Sequence, residues 1–279
     1  VIEDKSAKFY VLEKIRKDQI EHKKLIASSL YYLSNQDFPE ISAYLKKDGS
    51  FIKKIEQDFW LIRPYVKGIE LNRPDYVFDV WRGKKTSDFL ICLWKKTETF
   101  PIKEKIPLFS LKDYVLTMKQ KMKTYHPLEF NSIESIIDYL SSDFFRNYDS
   151  LPLRFCHGDY HSLNIIWDYD SIRSVIDWEF CGYKIEIYDM ANLLGCLGIE
   201  EPISLIKDFA LEFIKRIKES KMVSNKGLFY LFDCVLALRF AWLAEWLRKC
   251  DEDMIELEID YMILLLENKE KIKNCWNKC

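Results

Sequence analysis

Polar and apolar positions alternate over the first 68 residues in a pattern typical of a small β-sheet around one helix. Apolar residues recur at helical spacing from Asp18 to Leu33, with Asp18 as the expected N-cap. The runs on either side are rich in strand-forming residues and are interrupted by polar turns, which predicts two antiparallel hairpins. The predicted strands are 8–15, 50–55 and 59–63, with Val1-Ile2 as the end of a strand that pairs with the first.

From about residue 70 onward the pattern changes to helical periodicity. The exception is a short hairpin over residues 164–176, with its turn at 168–171. We therefore expect an α+β protein with two lobes joined by the segment 64–68, namely an N-lobe over 1–68 with the antiparallel sheet and a mostly helical C-lobe over 69–279. The predicted helices are 74–96, 110–123, 131–145, 189–198, 202–220, 227–249 and 252–273.

Composition and charge exclude several classes of protein. The chain is 48% hydrophobic, 15% aromatic and 31% charged, which is a globular composition. Its 42 Lys and Arg nearly cancel 44 Asp and Glu, so the basic excess of a nucleic-acid-binding protein is absent. The eight cysteines form no C-x-x-C motif, which predicts reduced thiols in a cytoplasmic protein. The most apolar stretch, Gly227 to Leu247, contains Asp233, Arg239 and Glu245, so it is predicted to be a buried helix and not a membrane span.

Chemistry-bearing residues surround the predicted hairpin. Asp159 lies in the loop before it, Asn164 opens its first strand, and Asp177 follows its second strand. The two arms of the hairpin have nearly equal length, so Asn164 and Asp177 are expected at the same edge. Phosphoryl transfer from a nucleotide needs an aspartate that orients the acceptor hydroxyl, together with oxygen ligands that hold Mg²⁺ against the phosphates. The set therefore fits Mg²⁺-dependent phosphoryl transfer from a nucleotide.

Three motifs follow one another within residues 150–195. They are His157-Gly158-Asp159-Tyr160-His161-Ser162-Leu163-Asn164, Val175-Ile176-Asp177-Trp178 and Tyr188-Asp189-Met190-Ala191. Together they resemble the aminoglycoside phosphotransferase and choline kinase superfamily, whose members have the protein-kinase-like fold. Within it, the spore-coat kinase-like and small-metabolite kinase branches look most similar. An isolated H-x-D would mean little, but the ordered set at hairpin spacing is specific.

The resemblance implies roles for individual residues. Asp159 would be the catalytic aspartate, Asn164 and Asp177 would bind Mg²⁺, and Asp189 would hold the catalytic loop. His157 is expected to be a structural residue that bonds the loop and not a proton carrier. Asp189 is at the same time the expected N-cap of the following helix, and the two roles are compatible.

The N-lobe departs from the superfamily pattern at the lysine that usually contacts the phosphates. That lysine lies on the third strand of the fold, whereas here Glu13 follows Val11-Leu12 and Lys14 comes next. Lys14 is therefore the candidate phosphate contact, with Glu21 of the following helix as its candidate partner. A divergent position is the alternative. The chain also begins in what reads as the second strand, without Met and with no Gly before Gly49, so we expect the Gly-rich loop to lie upstream.

The protein-kinase-like fold that the resemblance implies also suggests where the nucleotide base and the acceptor would bind. Backbone groups of Pro64, Tyr65 and Val66 are expected to bind the nucleotide base at the lobe connector. The acceptor is expected against the C-terminal helices, where acidic residues outnumber basic ones over 239–260. An acidic wall with two tryptophans would suit a cationic amine or a stacked sugar ring, whereas the alternative is that these tryptophans belong to the core. The candidate acceptor residues are Trp242, Glu245 and Trp246.

These observations predict an ATP-dependent small-molecule kinase that moves the γ-phosphate to a hydroxyl of an amino sugar, a sugar or an amino alcohol. The alternative is a catalytically silent kinase-like protein that serves as a binding or structural module. Retention of Asp159, Asn164 and Asp177 favours the enzyme, whereas Glu13 and the missing Gly-rich loop favour the silent protein. The expected partners are a nucleotide and a small-molecule acceptor, with neither nucleic acid nor membrane, and the oligomeric state stays open.

Overall fold

The computed structural model describes residues 1–100 and 106–279 and confirms the α+β class. A four-stranded antiparallel sheet in the order β1-β2-β4-β3 and the helix α1 come from the first 64 residues, and most of the remaining elements are helices. The strands are β1 Ile2–Glu3, β2 Phe9–Ile15, β3 Lys53–Ile55, β4 Asp58–Pro64, β5 Leu153–Cys156, β6 Ile165–Trp167, β7 Ile172–Val175 and β8 Gly182–Ile185. The helices are α1 Ile20–Ser34, α2 Val80–Thr97, α3 Leu111–Tyr125, α4 Pro127–Ser142, α5 Phe144–Asn147, α6 Tyr188–Glu200, α7 Asp208–Ser220, α8 Asn225–Phe229, α9 Leu231–Lys249, α10 Glu252–Glu267 and α11 Lys269–Asn277.

The register of the central strands decides which side chains of the first sheet share a face. Antiparallel pairing of β2 with β4 sets Glu13 opposite Leu61 and Val11 opposite Arg63. Side chains alternate between the two faces of a strand, so these four lie on one face and Lys14 lies on the other. Leu61 is fully buried, which makes this face the inner one.

The segment between α1 and β3 connects the first sheet to the hairpin of the helical lobe. Ile41 forms a parallel bridge with Val175 of β7, and the N–H of Leu45 donates to the carbonyl of Ile62 on β4 at 2.8 Å. Backbone groups of one loop therefore fix the distance between the N-lobe sheet and the hairpin that carries the predicted site.

Two details of the predicted secondary structure are wrong. Asp18 does not cap α1, because its carboxylate accepts a hydrogen bond from Arg16 at 3.2 Å in a short 3₁₀ turn before the helix. The hairpin over 164–176 is also not the lone sheet of the helical lobe. The strands Leu153–Cys156 and Gly182–Ile185 form a second antiparallel pair. Every residue of the latter strand is buried, so its sequence carries no alternation from which a strand could be predicted.

The apolar stretch 227–247 is a buried helical segment of the C-lobe, as predicted. Its charges are paired inside the lobe. The guanidinium of Arg239 donates to both carboxylate oxygens of Glu258 on α10 at 2.5 and 2.6 Å, and Asp233 pairs with Lys273 at 2.9 Å. Within the described residues, no helix has both the length and the apolar character that a membrane span requires. All eight cysteines are free thiols.

We expect Glu258→Gln to destabilise the fold by about 3–5 kcal/mol, because it leaves the charge of Arg239 buried without its counterion. Urea denaturation measures this loss. The matched control is Glu245→Gln, which breaks an exposed pair with Arg248 and should cost far less because solvent screens that pair. Equal losses in the two variants would contradict the expectation.

Candidate active site

The predicted catalytic loop is anchored by the buried carboxylate of Asp189. One oxygen accepts the backbone N–H of His157 at 2.7 Å, and the other accepts that of Gly158 at 2.9 Å. Helix α6 begins one residue earlier, so Asp189 is not its N-cap, and its carboxylate bonds the loop and not its own helix. Burial raises the pKa of Asp189 to about 6, although the two backbone hydrogen bonds act in the opposite direction.

Gly158 is required at this point of the loop. Its φ of +88° lies in the left-handed region, which side chains disfavour. A Cβ at this position would also lie 2.1 Å from the carbonyl oxygen of Phe180. The loop can therefore pass this close to the chain after the hairpin only without a side chain.

The ring of His157 ties the loop to the end of the hairpin. Its Nε2 lies 2.9 Å from the carbonyl oxygen of Ile176, and its Nδ1 accepts the backbone N–H of Asp159 at 3.2 Å. Only a neutral ring protonated at Nε2 satisfies both bonds. Burial lowers the pKa of His157 to about 4, which keeps the ring neutral. This geometry suits the structural role predicted for His157.

Three polar side chains surround the carboxylate of Asp159. The amide of Asn164 donates to its Oδ2 at 2.9 Å, the amide of Asn192 donates to its Oδ1 at 3.3 Å, and Nε2 of His161 lies 3.5 Å from Oδ2. Burial acts to raise the pKa of Asp159, but the hydrogen bond and charge of His161, with help from His157 and Asn164, lower it below its ordinary value. The carboxylate is therefore ionised and can accept a hydrogen bond.

Asn164 and Asp177 lie at the same edge of the hairpin, because the N–H of Ile176 donates to the carbonyl of Asn164 at 2.9 Å. Asp177 has a left-handed φ of +64°, and its carboxylate has neither hydrogen bond nor ion pair with any described residue. Desolvation raises its pKa, followed by the charges of Asp159 and Glu179.

These residues fit a Mg²⁺ ion. The amide nitrogen of Asn164 is engaged with Asp159, which leaves its Oδ1 as a free oxygen ligand, and the carboxylate of Asp177 lacks a counterion. Mg²⁺ is usually held by one or two carboxylates together with substrate phosphates. Among residues 1–100 and 106–279, no group of three or more His, Cys, Asp and Glu side chains forms a metal site. The candidate site thus consists of one carboxylate and one amide oxygen.

An ion pair joins strand β2 and helix α1 of the N-lobe. The acid lies on the strand and the lysine on the helix, which is the reverse of the expected arrangement. Glu13 on β2 accepts from Lys23 on α1 at 2.5 Å, and the same ammonium also pairs with Glu179, two residues after Asp177. The hydroxyl of Tyr44 donates to the second oxygen of Glu13 at 2.7 Å. The carboxylate of Glu179 is therefore already engaged by a cation of the N-lobe.

The predicted pair of Lys14 with Glu21 does not form. Lys14 pairs with Asp58 at 2.7 Å on the outer face of the sheet, and Glu21 pairs with Lys24 at 2.7 Å on the surface of α1. The physical reason is strand alternation, which turns Lys14 away from the face that carries Glu13. A contact of Lys14 with phosphates would require this strand to change register.

The lobe connector borders a cavity of about 370 Å³. Of the three predicted base-binding residues, Pro64 has no N–H, and the N–H of Tyr65 donates to the carbonyl of Phe9 at 2.9 Å. Both backbone groups of Val66 have no hydrogen-bond partner within the described residues. The groups that a nucleotide base could reach on this segment are therefore the N–H and carbonyl of Val66 and the carbonyl of Tyr65. Apolar residues line the cavity on the connector and hairpin sides, namely Tyr65, Val66, Leu71, Leu163, Ile165 and Trp167.

The candidate acceptor residues lie at different distances from the catalytic loop. The ring of Trp242 packs edge-on against His161 with centroids 6.0 Å apart, and it also stacks with Trp246 at 6.2 Å. Glu245 is paired with Arg248 at 2.7 Å and with Lys249 at 3.2 Å. The structure thus brings Trp242 next to the loop, whereas the charge of Glu245 is already neutralised.

Lys23 and Asn192 were missed by the sequence reasoning, although each carries a signal. Lys23 lies three residues before the buried Ile26 on α1, so helical spacing puts it on the inner face of that helix. Asn192 lies three residues after Asp189 and hence on the same face of α6. A polar residue on the inner face of a helix is the pattern that predicts such contacts.

A comparison with protein-family models matches residues 100–217 to the phosphotransferase enzyme family. This range includes the catalytic loop, the hairpin and Asp189. The predicted resemblance to the aminoglycoside phosphotransferase and choline kinase superfamily is confirmed. Assignment to one branch of the superfamily stays a prediction. A search of curated protein sequences gives no significant match.

Solved small-molecule kinases have a similar fold. An amicoumacin kinase in complex with AMP-PNP, Ca²⁺ and Ami is 15% identical, with a TM-score of 0.69 over 98% of this chain and 84% of that chain. The GDP complex of an aminoglycoside 2'-phosphotransferase-IIIa is 18% identical, with a TM-score of 0.64 over 93% and 87%. A choline/ethanolamine kinase family protein from Mesorhizobium loti is 13% identical, with a TM-score of 0.66 over 98% and 88%. At these identities the likeness is one of fold, and it confirms the two-lobed kinase-like architecture.

We expect the ring of His157 to stay neutral in the folded protein from pH 8 down to about pH 5, and NMR titration of the imidazole signals measures this. The unfolded chain binds the proton near its ordinary value of about 6.5, so it holds more protons than the folded chain below that pH. The contribution of His157 to stability is therefore complete above about pH 6.5 and falls as the pH drops toward 4, by at most about 1.4 kcal/mol per pH unit. A His157 titration midpoint near 6.5 in the folded protein would contradict this.

Proposed function

We propose that this protein is a small-molecule kinase that transfers the γ-phosphate of ATP to a hydroxyl of an amino sugar, a sugar or an amino alcohol. One observation carries the proposal. The fold brings Asp159, Asn164 and Asp177 to one hairpin, with the first carboxylate ionised and the last without a partner. The phosphotransferase family match supports the reaction class, whereas the ATP donor, the acceptor and the cytoplasmic location stay predictions.

In the proposed reaction, Asp159 accepts a hydrogen bond from the acceptor hydroxyl. This bond directs the hydroxyl oxygen of the acceptor toward the γ-phosphorus. The bond from this oxygen to phosphorus forms as the bond to the β,γ-bridging oxygen breaks, and the hydroxyl proton leaves by way of the carboxylate. Asn164 and Asn192 hold that carboxylate from two sides and so fix its direction. Bound Mg²⁺, held by Asn164 and Asp177, would neutralise charge on the phosphates.

The acceptor site we propose lies against Trp242, beside the catalytic loop. The flat face of an indole suits the ring of a sugar or amino sugar. Contact of a cationic amine with Glu245 has weaker support, because the hydrogen bonds from Arg248 and Lys249 hold the pKa of Glu245 at about 2 and occupy its carboxylate. The similar folds of an amicoumacin kinase and an aminoglycoside phosphotransferase also support a small-molecule acceptor.

The second candidate is a kinase-like protein that binds a nucleotide or partner without catalysis. It is favoured by Glu13, which stands on the inner face of β2 where the resembling fold has its phosphate-binding lysine. The two candidates differ in one measurable property, since only the enzyme transfers phosphate to an added acceptor. A screen of sugars, amino sugars and amino alcohols with labelled ATP therefore separates them.

We expect Asp159→Asn to lower turnover by about 10²–10⁴-fold while nucleotide affinity stays within about twofold, because the side chain contacts the acceptor and not the nucleotide. Steady-state kinetics and calorimetric nucleotide binding measure the two quantities. The control is Asp168→Asn in the hairpin turn, where the carboxylate pairs with Arg173 outside the site. Equal turnover in Asp159→Asn and the parent would sink the assignment.

We expect Asp177→Ala to remove the Mg²⁺ dependence of nucleotide binding, because the candidate metal site then keeps only the amide oxygen of Asn164. Calorimetry with a non-hydrolysable ATP analogue, with and without Mg²⁺, measures this without any turnover. Asp168→Ala serves as control, since Asp168 pairs with Arg173 in the hairpin turn, outside the candidate metal site. If Asp177→Ala still responds to Mg²⁺ as the parent does, the metal binds elsewhere.

A further inference from the structure

Two cationic side chains, Lys23 and Arg63, lie on the inner side of the N-lobe. The charge of Lys23 is already neutralised by two carboxylates. Lys23 bonds the carboxylates of Glu13 and Glu179 together, and its side chain is only 10% exposed. One positive charge between two negative ones leaves the group negative, which repels a phosphate. Lys23 is therefore suited to hold the strand and the helix together and unsuited to attract the nucleotide.

Arg63 is the second cation, and no described residue is its partner. It lies on the inner face of β4, directly before the lobe connector, and shares this face with Glu13. Its Nε is buried without a hydrogen-bond partner, and its guanidinium forms no ion pair with any described residue. Burying the Nε–H without an acceptor costs free energy, which a ligand that accepts hydrogen bonds from this guanidinium would offset.

The face that carries Arg63 borders the candidate active site. Glu13 lies on the same face and shares Lys23 with Glu179, two residues after Asp177. Lys14, the other candidate, is bound to Asp58 on the opposite face of the sheet. Among these three cations, only Arg63 combines an inner position with free donors.

We propose that Arg63 is the N-lobe side chain that binds the nucleotide phosphates, in place of a lysine on β2. This inference rests on the proposed function and deepens it. A guanidinium presents five N–H donors in a planar fork that matches two phosphate oxygens, so it can replace a lysine ammonium and add direction to the contact. The charge-reversed pair of Glu13 and Lys23 then retains the mechanical link between strand and helix, while the phosphate contact is transferred to β4.

The experiment compares a nucleoside triphosphate analogue with the nucleoside that lacks phosphates. Calorimetry on the full chain with Mg²⁺ and without acceptor gives the affinity for AMP-PNP and for adenosine, and for GMP-PNP and guanosine as the second pair. We expect Arg63→Met to weaken triphosphate binding by about 10–100-fold and to leave nucleoside binding within about twofold. Arg63→Lys keeps the charge without the fork and should fall between the parent and Arg63→Met.

The matched control is Arg16→Met, an equivalent exchange in an exposed turn where the guanidinium pairs with Asp18. It should bind both ligands as the parent does. Thermal unfolding checks that Arg63→Met is folded, and Arg63→Lys tests the contact should the methionine variant unfold.

The outcomes separate this inference from the proposed function. A parent that binds neither nucleotide would overturn both. A parent that binds, with Arg63 variants that bind equally well or lose triphosphate and nucleoside to the same extent, would overturn only the role of Arg63. A selective loss of triphosphate binding in Lys14→Met, with Arg63→Met unaffected, would return the role to the strand lysine.

Discussion

The geometry of the cleft depends on one buried carboxylate. Asp189 accepts two consecutive backbone N–H groups of the catalytic loop, so it sets both the position and the direction of that loop relative to α6. Because the loop is fixed in this way, the ring of His157 reaches the carbonyl before Asp177 and ties the two acidic residues of the site together. Hydrogen bonds from the side chains of Asp189 and His157 to backbone groups thus fix the spacing of Asp159 and Asp177, and the packing of the His157 ring on Trp178 adds to them.

The ion pair between the strand and the helix of the N-lobe separates two functions that one lysine combines in the protein-kinase-like fold. A salt bridge holds two elements together equally well with either polarity, so Glu13 on the strand and Lys23 on the helix can replace the reverse arrangement. A phosphate contact does depend on polarity, because the ligand is an anion. Reversal of the ion pair therefore keeps the strand and the helix together but removes the cation from β2. The guanidinium of Arg63, which has no counterion among the described residues, lies on the neighbouring strand β4.

The residue patterns were a better guide to local structure than to the contacts between different strands and helices. The hairpin over 164–176 followed from its turn and its two apolar arms, and the ordered motifs around it pointed to the site. Strand β8 escaped prediction because it is buried throughout and shows no alternation. Arg63 gave no signal either, since the sequence identifies which residues share a face of a strand but not which groups of another element meet that face. The predicted pair of Lys14 with Glu21 failed for the same reason, because Lys14 meets Asp58 on the outer face of the sheet.

The state of Asp177 bears on whether the protein is an enzyme or a silent relative. Its carboxylate has no partner among residues 1–100 and 106–279, repulsion from Asp159 and Glu179 raises its pKa beyond the effect of burial, and its backbone has an unfavourable left-handed φ. Each feature destabilises the free protein, and a cation bound at this carboxylate would relieve the first two together. A protein that served only as a scaffold would gain stability from a neutral residue here. An unpaired carboxylate beside a second acid is therefore the arrangement expected of a site that works with a bound metal ion.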